Sequence, residues 1–258
     1  MKWLRQWLAY PLTRGLDLDD PRTTQLRRRI IAEKPFLRAL YREWYARIAQ
    51  ALPDGEEPVL ELGSGAGFLD EYVPGLITSE VFHCDGVRAV LNGHRLPFAD
   101  ASLRAIVMTD VLHHLPAARR FFREAARCVR RGGAVIMIEP WATPWSRFIY
   151  TRLHHEPFQA DVKEWEFPSS GPLSGANGAL PWIIFERDRA QFEREFPEWS
   201  IQGIELLTPF RYLLSGGISM RSLMPGWSFG AWRLLERGLS PWLPQLAMFA
   251  RITLRREV

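Results

Sequence analysis

The sequence predicts an α/β fold built on a mostly parallel sheet. Three observations predict it. Short apolar runs suited to buried strands recur through the middle of the 258-residue chain. Segments of helical periodicity alternate with them, and such alternation implies parallel strands joined by crossovers. Finally, the run Val59–Leu62 carries Glu61 near its end and leads into alternating glycines, Gly63, Gly65 and Gly67. Glycines directly after a strand permit a tight turn and let the backbone approach a ligand closely.

The elements follow in order. Met1–Leu12 reads as a short amphipathic helix, suited to a membrane surface or to capping a site. Residues 17–52 are helical, opened by Asp19-Asp20-Pro21 and divided at Pro35. Leu37, Leu40, Tyr41, Trp44, Tyr45 and Ile48 form an apolar stripe that ends at Pro53-Asp54-Gly55. Strands are expected near 58–62, 76–81, 87–92, 104–109 and 134–139, and Phe68–Val73 can open a helix after the glycine loop. Too little chain lies between Glu80 and Val87 for a crossover helix, since parallel neighbours need about a dozen residues between them. Either that crossover is a bare loop or the strand limits differ. A helix covers Ala117–Val129, with Gly132-Gly133 to terminate it. Trp141–Ile184 has no clean period and reads as irregular, the form a functional loop or lid takes. A helix resumes at Phe185–Phe196, strands follow at Ser200–Leu207 and Leu246–Leu254, and a helix near Phe229–Arg237 lies between those two strands.

A dinucleotide loop reads G-x-G-x-x-G. Here the pattern is E-x-G-x-G-x-G, with Phe68 where that loop's third glycine would fall. This pattern resembles motif I of the class I S-adenosylmethionine (SAM) methyltransferases. Asn92–Leu103, with Leu96-Pro97-Phe98, is similar to the L-P-F stretch of the small-molecule members. Asp110-Val111-Leu112-His113-His114-Leu115 looks like their fourth-strand exit, and Val129–Gly133 like the turn before their fifth strand. The blocks span residues 59–140 and resemble the type 11, ubiquinone/menaquinone-methyltransferase-like group. The resemblance implies a doubly wound, Rossmann-like sheet of seven strands with an antiparallel last strand. Residues 1–54 would then be a helical cap, and 55–258 the core, with insertions near 141–184 and 208–245.

Composition sets bounds. With 47% hydrophobic and 24% charged residues the chain is an ordinary globule. Two cysteines fit a reducing cytoplasm, and no metal-ligand spacing surrounds them. The charge of +4 is mild, and no basic–aromatic interleaving points to nucleic acid. No uncharged apolar stretch is long enough to span a membrane. The eleven tryptophans suit core filling, a greasy pocket or a membrane interface.

The site residues come mostly from the resemblance. Gly63, Ser64, Gly65, Gly67 and Phe68 would approach the methionine part of SAM, with Glu61 beneath its ammonium. Glu80, near the end of the second strand, would take the ribose hydroxyls. Asn92 stands where the family usually has Asp near the adenine; His94 and Leu96 would line that base. Thr109, Asp110, Val111 and His114 would face the junction of cofactor and acceptor. His113 is a further catalytic candidate. His154, His155 and Glu156, in the irregular segment, combine a group that titrates near neutrality with a carboxylate able to orient it. A metal on His154, His155, Glu156 and Asp161 matches no common ligand spacing, and none is expected.

The expected activity is methyl transfer from SAM to a small apolar, aromatic or lipid-like acceptor, at oxygen with carbon left open, by a cytoplasmic protein whose N-terminus either touches the membrane or caps the site. Two other readings are a nicotinamide-dependent oxidoreductase and a catalytically silent SAM-fold binding protein. The missing third glycine and the L-P-F and V-L-H-H-L blocks oppose the first. The intact glycines oppose the second.

Overall fold

The computed structural model describes Tyr10 and residues 21–65, 67–153, 156–169, 171 and 175–257. The expected N-terminal helix, Asp19-Asp20 and the His154-His155 pair lie outside these residues, apart from Tyr10. Seven strands form one sheet in the order β3-β2-β1-β4-β5-β7-β6. They are β1 (Val59–Leu62), β2 (Ile77–Glu80), β3 (Ala89–Val90), β4 (Leu103–Thr109), β5 (Val129–Pro140), β6 (Trp199–Leu207) and β7 (Phe249–Arg256). The first five pair in parallel, while β7 runs antiparallel to both β5 and β6. This is the seven-stranded α/β sheet the sequence leads one to expect.

Strand periodicity divides the core into two layers. Leu60, Leu62, Ile106, Met108, Val135 and Met137 face one side. Val59, Ala105, Val107, Ala134, Ile136 and Ile138 face the other. On the first side lies α3 (Ala118–Cys128), labelling as α1 and α2 the helices Pro21–Glu33 and Pro35–Ala51. The paired rings of Phe121 and Phe122 on α3 fill the layer together with Phe185, Phe192 and Phe196. The second side is covered by α2, whose Leu37, Leu40, Trp44 and Ile48 form the stripe read from the sequence.

That covering explains the first departure. Phe68–Val73 makes only a single 3-10 turn at Leu69–Glu71, because Pro74-Gly75 follows at once and leaves too short a run to repay helix nucleation. The segment from 81 to 88 is a bare loop, and β3 shrinks to two residues. With no crossover helix in these places, the N-terminal helices supply the missing layer: Leu69, Val73 and Leu76 pack in one cluster with Leu37, Leu40 and Tyr45.

Other limits shift for local reasons. Helix α3 ends at Cys128, where the Val129 N–H bonds to the Ala125 carbonyl. Gly132-Gly133 therefore does not terminate it. Gly132, at φ 72°, lies within β5, where the register against β4 shifts between Leu103 and Ala105. A Cβ on Gly133 would stand 2.6 Å from the Arg104 carbonyl oxygen, so glycine is needed for the strands to meet there. The segment after Trp141 is not wholly irregular. It contains α4 (Pro144–Leu153), whose Thr143 N–H is accepted by Ser146 Oγ at 2.8 Å. Helical structure resumes at Leu180 rather than Phe185, passes through a π-turn at Ile183–Arg187 and continues as α5 (Arg189–Glu195). The second insertion carries α6 (Arg211–Ser215) and α7 (Phe229–Gly238). The last strand begins three residues later than expected, at Phe249.

The tryptophans divide by place. Trp44, Trp165 and Trp199 are buried, whereas Trp227 is 87% exposed and Trp242 54% exposed. No described helix is long and apolar enough to cross a membrane.

Candidate active site

A cavity of about 720 Å³ opens where β1, β2 and β4 end. Its glycine loop is tied to the sheet: the Ser64 N–H donates to the Ser79 carbonyl at 2.8 Å, and Ser79 Oγ donates to the Glu61 carbonyl at 2.7 Å. Gly63 sits at φ 69°, a conformation that costs other residues strain. The following glycines are needed for closeness. A Cβ on Gly65 would clash with Thr24 and lie 2.6 Å from Glu80 Oε1, and one on Gly67 would lie 2.5 Å from the Tyr45 hydroxyl.

Most residues singled out in the sequence line this cavity: Glu61, Gly63, Ser64, Gly67, Glu80, Asn92, His94, Thr109, Asp110, Val111, His114 and Glu156. Of the cofactor-binding candidates, three lie elsewhere. Gly65 is wedged between Thr24 and Glu80. Phe68 turns its ring edge-on to Tyr45, with centroids 4.9 Å apart. Leu96 belongs to the core, and its N–H donates to Glu124 Oε1.

Among the described residues that line the cavity, four are carboxylates (Glu61, Glu80, Asp110 and Glu156) and one, Arg27, is a cation. Burial pushes the Glu61 carboxyl up to about 7, against the pull of the Ser64 hydroxyl. Burial raises Glu80 too, although the Val81 and Gly65 N–H groups hold it. Asp110, also pushed up to about 7 by burial, has φ 64°, a strained setting of the kind that gathers at working sites. The side-chain oxygens of Thr24 and Thr109 and the Nε2 of His94 are buried without a hydrogen-bond partner.

Deeper, β5 contributes Glu139, wholly buried. Its Oε1 accepts the Val111 and Leu112 N–H groups at 2.8 and 2.7 Å, fixing the turn after β4. Its Oε2 lies 2.8 Å from His113 Nδ1. On the far side of the imidazole, His113 Nε2 stands 3.6 Å from Glu156 Oε2, and His114 Nε2 stands 3.8 Å from Glu156 Oε1. His113 does not line the cavity; it lies behind His114 and Glu156, which do. Burial opposes charge on His113, but Glu139, Glu156 and Asp110 outweigh it and hold its pKa well above the usual value. His114 moves the other way, down to about 3, through burial and the neighbouring His113.

The sequence reading missed Glu139. The signal was present: an acid closing the apolar run Val135–Ile138 repeats the arrangement of Glu61 in Val59–Leu62. It also missed the aromatic wall of Tyr150, Tyr212 and Phe249, and the contributions of Thr24 and Arg27 from α1. These come from segments distant in sequence, and nothing local marks them.

Residues 60–137 match the family described as a methyltransferase domain, Methyltransf_11. The glycine loop set against the acid-lined cavity lies within this matched domain, and the match supports S-adenosylmethionine-dependent methyl transfer. No curated protein matches the sequence. Solved structures resemble it at a distance. A geranyl diphosphate C-methyltransferase from Streptomyces coelicolor is 15% identical over 96% of this chain and 89% of its own, with a TM-score of 0.49. A SAM-dependent methyltransferase from Mesorhizobium loti is 16% identical over 81% of this chain and 96% of its own, at 0.45. The [4+2]-cyclase SpnF is 14% identical over 84% and 81%, at 0.49.

The cavity suits SAM on its own evidence. A ligand with a sulfonium and an ammonium complements carboxylates that burial has left with raised pKa values. The unpartnered threonine and histidine atoms offer bonds to a polar ligand.

Proposed function

We propose that this methyltransferase acts on a hydroxyl oxygen of a small, apolar or aromatic acceptor. The single observation that supports the reading is one continuous cavity. It joins the acidic glycine-loop end to an apolar end walled by Tyr150, Leu153, Tyr212 and Phe249, where Glu156 and His114 supply the polar groups. Glu61 and Glu80 hold the cationic and ribose parts of the cofactor, and Asn92 and His94 border its base. When bound, the cofactor supplies a methyl group already activated by positive sulfur. The chain's part is to set acceptor and methyl in line, to exclude water and to withdraw a proton. Helix α1 closes over the glycine loop through Thr24, Arg27 and Ile30, which keeps water out. The acceptor's hydroxyl proton would pass to the Glu156 carboxylate, which lines the cavity beside His114 and has His113 3.6 Å behind it.

The test incubates methyl-labelled SAM with phenols, enols, quinols and matched amines. Labelled ether from a hydroxyl acceptor is the expected product, and label found only on carbon or nitrogen would overturn the reading. Glu156→Gln is expected to lower kcat by about 10²-fold while leaving SAM affinity, measured by calorimetry, nearly unchanged. Calorimetry with NAD should show no binding; NAD binding in place of SAM would favour an oxidoreductase.

A further inference from the structure

The cluster behind the acceptor end has features that proton withdrawal alone does not require. His113 is 1% exposed, and its Nε2 has no hydrogen-bond partner. Burying an unpaired ring nitrogen costs free energy unless something meets it. Its tautomer is set from behind. Glu139 can only accept, so His113 Nδ1 carries a hydrogen, and Nε2 faces Glu156 and can bind an ion once it gives up the proton that the surrounding carboxylates favour. His114 is fixed likewise, because its Nδ1 faces the Gly175 carbonyl at 3.2 Å. Two imidazoles thus turn their Nε2 atoms toward one carboxylate.

The spacings are those of ligands rather than of hydrogen-bonded partners. The separations of 3.6 and 3.8 Å from Glu156 exceed an N–H···O bond. Two ligand atoms each roughly 2.1 Å from a tetrahedral ion lie about 3.4 Å apart. One ligand atom from each of His113, His114 and Glu156 falls within 4.8 Å of the other two.

We propose that His113, His114 and Glu156 form a site for one divalent transition-metal ion of the zinc type, at the wall of the cofactor cavity. Two neutral imidazoles and a carboxylate are the donor set borderline ions favour over magnesium. Glu139 is the positioning residue, the carboxylate behind a ligating histidine that fixes its ring and tautomer. Its other oxygen is committed to the turn carrying the ligands, so the site is preorganised by β5. The role of the ion rests on the function proposed above. Set beside the acceptor, it would lower the pKa of the hydroxyl, and with Glu156 and the two histidines held as ligands the proton would pass to water in place of Glu156. The sequence pattern did not reveal the site because its ligands lie on two separate segments.

The full-length protein, stripped with chelator, is titrated with Zn²⁺ by calorimetry without cofactor or acceptor. One ion per chain is expected, with micromolar or tighter affinity, and Co²⁺ in its place should give visible d–d absorption. His114→Ala and Glu156→Gln should each weaken Zn²⁺ binding at least tenfold, and Glu139→Gln about 10- to 100-fold. Circular dichroism confirms that each variant is folded. His83→Ala, at an exposed histidine, should leave the affinity unchanged. Absence of Zn²⁺ binding in the folded parent overturns the site, as does undiminished binding in both ligand variants. O-methyl transfer that persists at full rate in chelator overturns the ion's role alone. Zn²⁺ binding without any labelled ether leaves the site standing and removes the O-methylation reading.

Discussion

Glu61 is 3% exposed with a carboxyl pushed up to about 7 by burial, and its titration has a definite sign. In the unfolded chain it titrates in the ordinary carboxylate range, so between about pH 4.5 and 7 the folded state holds the extra proton. Stability therefore falls as pH rises through that window and levels off above it. Glu61→Gln removes the penalty and is expected to stabilise the protein by about 1–3 kcal/mol at pH 8, measured by urea unfolding. The same variant should lose SAM affinity, since the cationic cofactor selects the ionised carboxylate. For the parent, calorimetry should show SAM affinity weakening toward tenfold per pH unit below about 7. An affinity flat from pH 5.5 to 8 would remove Glu61 from the cofactor's contacts. Gly65→Ala tests close approach rather than charge, because its Cβ would push Thr24 and Glu80 out of place. SAM binding should fall at least tenfold, with the fold retained by circular dichroism.

At the scale of elements, a buried ionic knot joins three helices. Arg211 on α6 donates to Glu236 on α7 at 2.5 Å and to Glu43 on α2 at 2.7 and 3.0 Å. Glu236 also accepts the Phe210 and Arg211 N–H groups, and Phe229 packs edge-on against Phe36 at 5.2 Å. Arg211→Met would leave two carboxylates without their cation, at a cost of about 3–5 kcal/mol in chemical denaturation. A loss below about 1 kcal/mol would show that water already screens the knot. None of this knot was legible in the sequence, because its members come from segments far apart and each looks like an ordinary surface charge. What was legible followed from local chemistry. The Val59–Gly67 run declared both strand and loop, and the stripe from Leu37 to Ile48 declared α2. Phe68–Val73 misled because its apolar spacing suits a helix that Pro74-Gly75 leaves no room to build. Gly132-Gly133 misled because a strand bulge and a helix stop use the same residue.

For the whole molecule, cofactor and fold are coupled. Thr24, Arg27 and Ile30 from α1 line the same cavity as Glu61 and Gly63 from the sheet. A ligand spanning both should resist unfolding as a unit. SAM at a hundred times its Kd contributes about 2.7 kcal/mol. For a chain of this size that is a rise in Tm of about 5–10 °C, readable by differential scanning fluorimetry. A Tm unmoved by saturating SAM would contradict the placement of the cofactor.

The covering of one sheet face by α2 also bears on how the chain acquires its shape during synthesis. Trp44, emerging early from the ribosome, meets Phe249 (ring centroids 4.8 Å apart) and Thr208, while Arg47 pairs with Glu205. The part of α2 that carries Trp44 and Arg47 must therefore wait for these partners until β7 is translated, although Leu37 and Leu40 can meet Leu69, Val73 and Leu76 earlier. Contacts of such long sequence separation close slowly, so a nascent chain halted before Phe249 is expected to bind chaperones and yield to proteases, and to become protected once β7 has emerged.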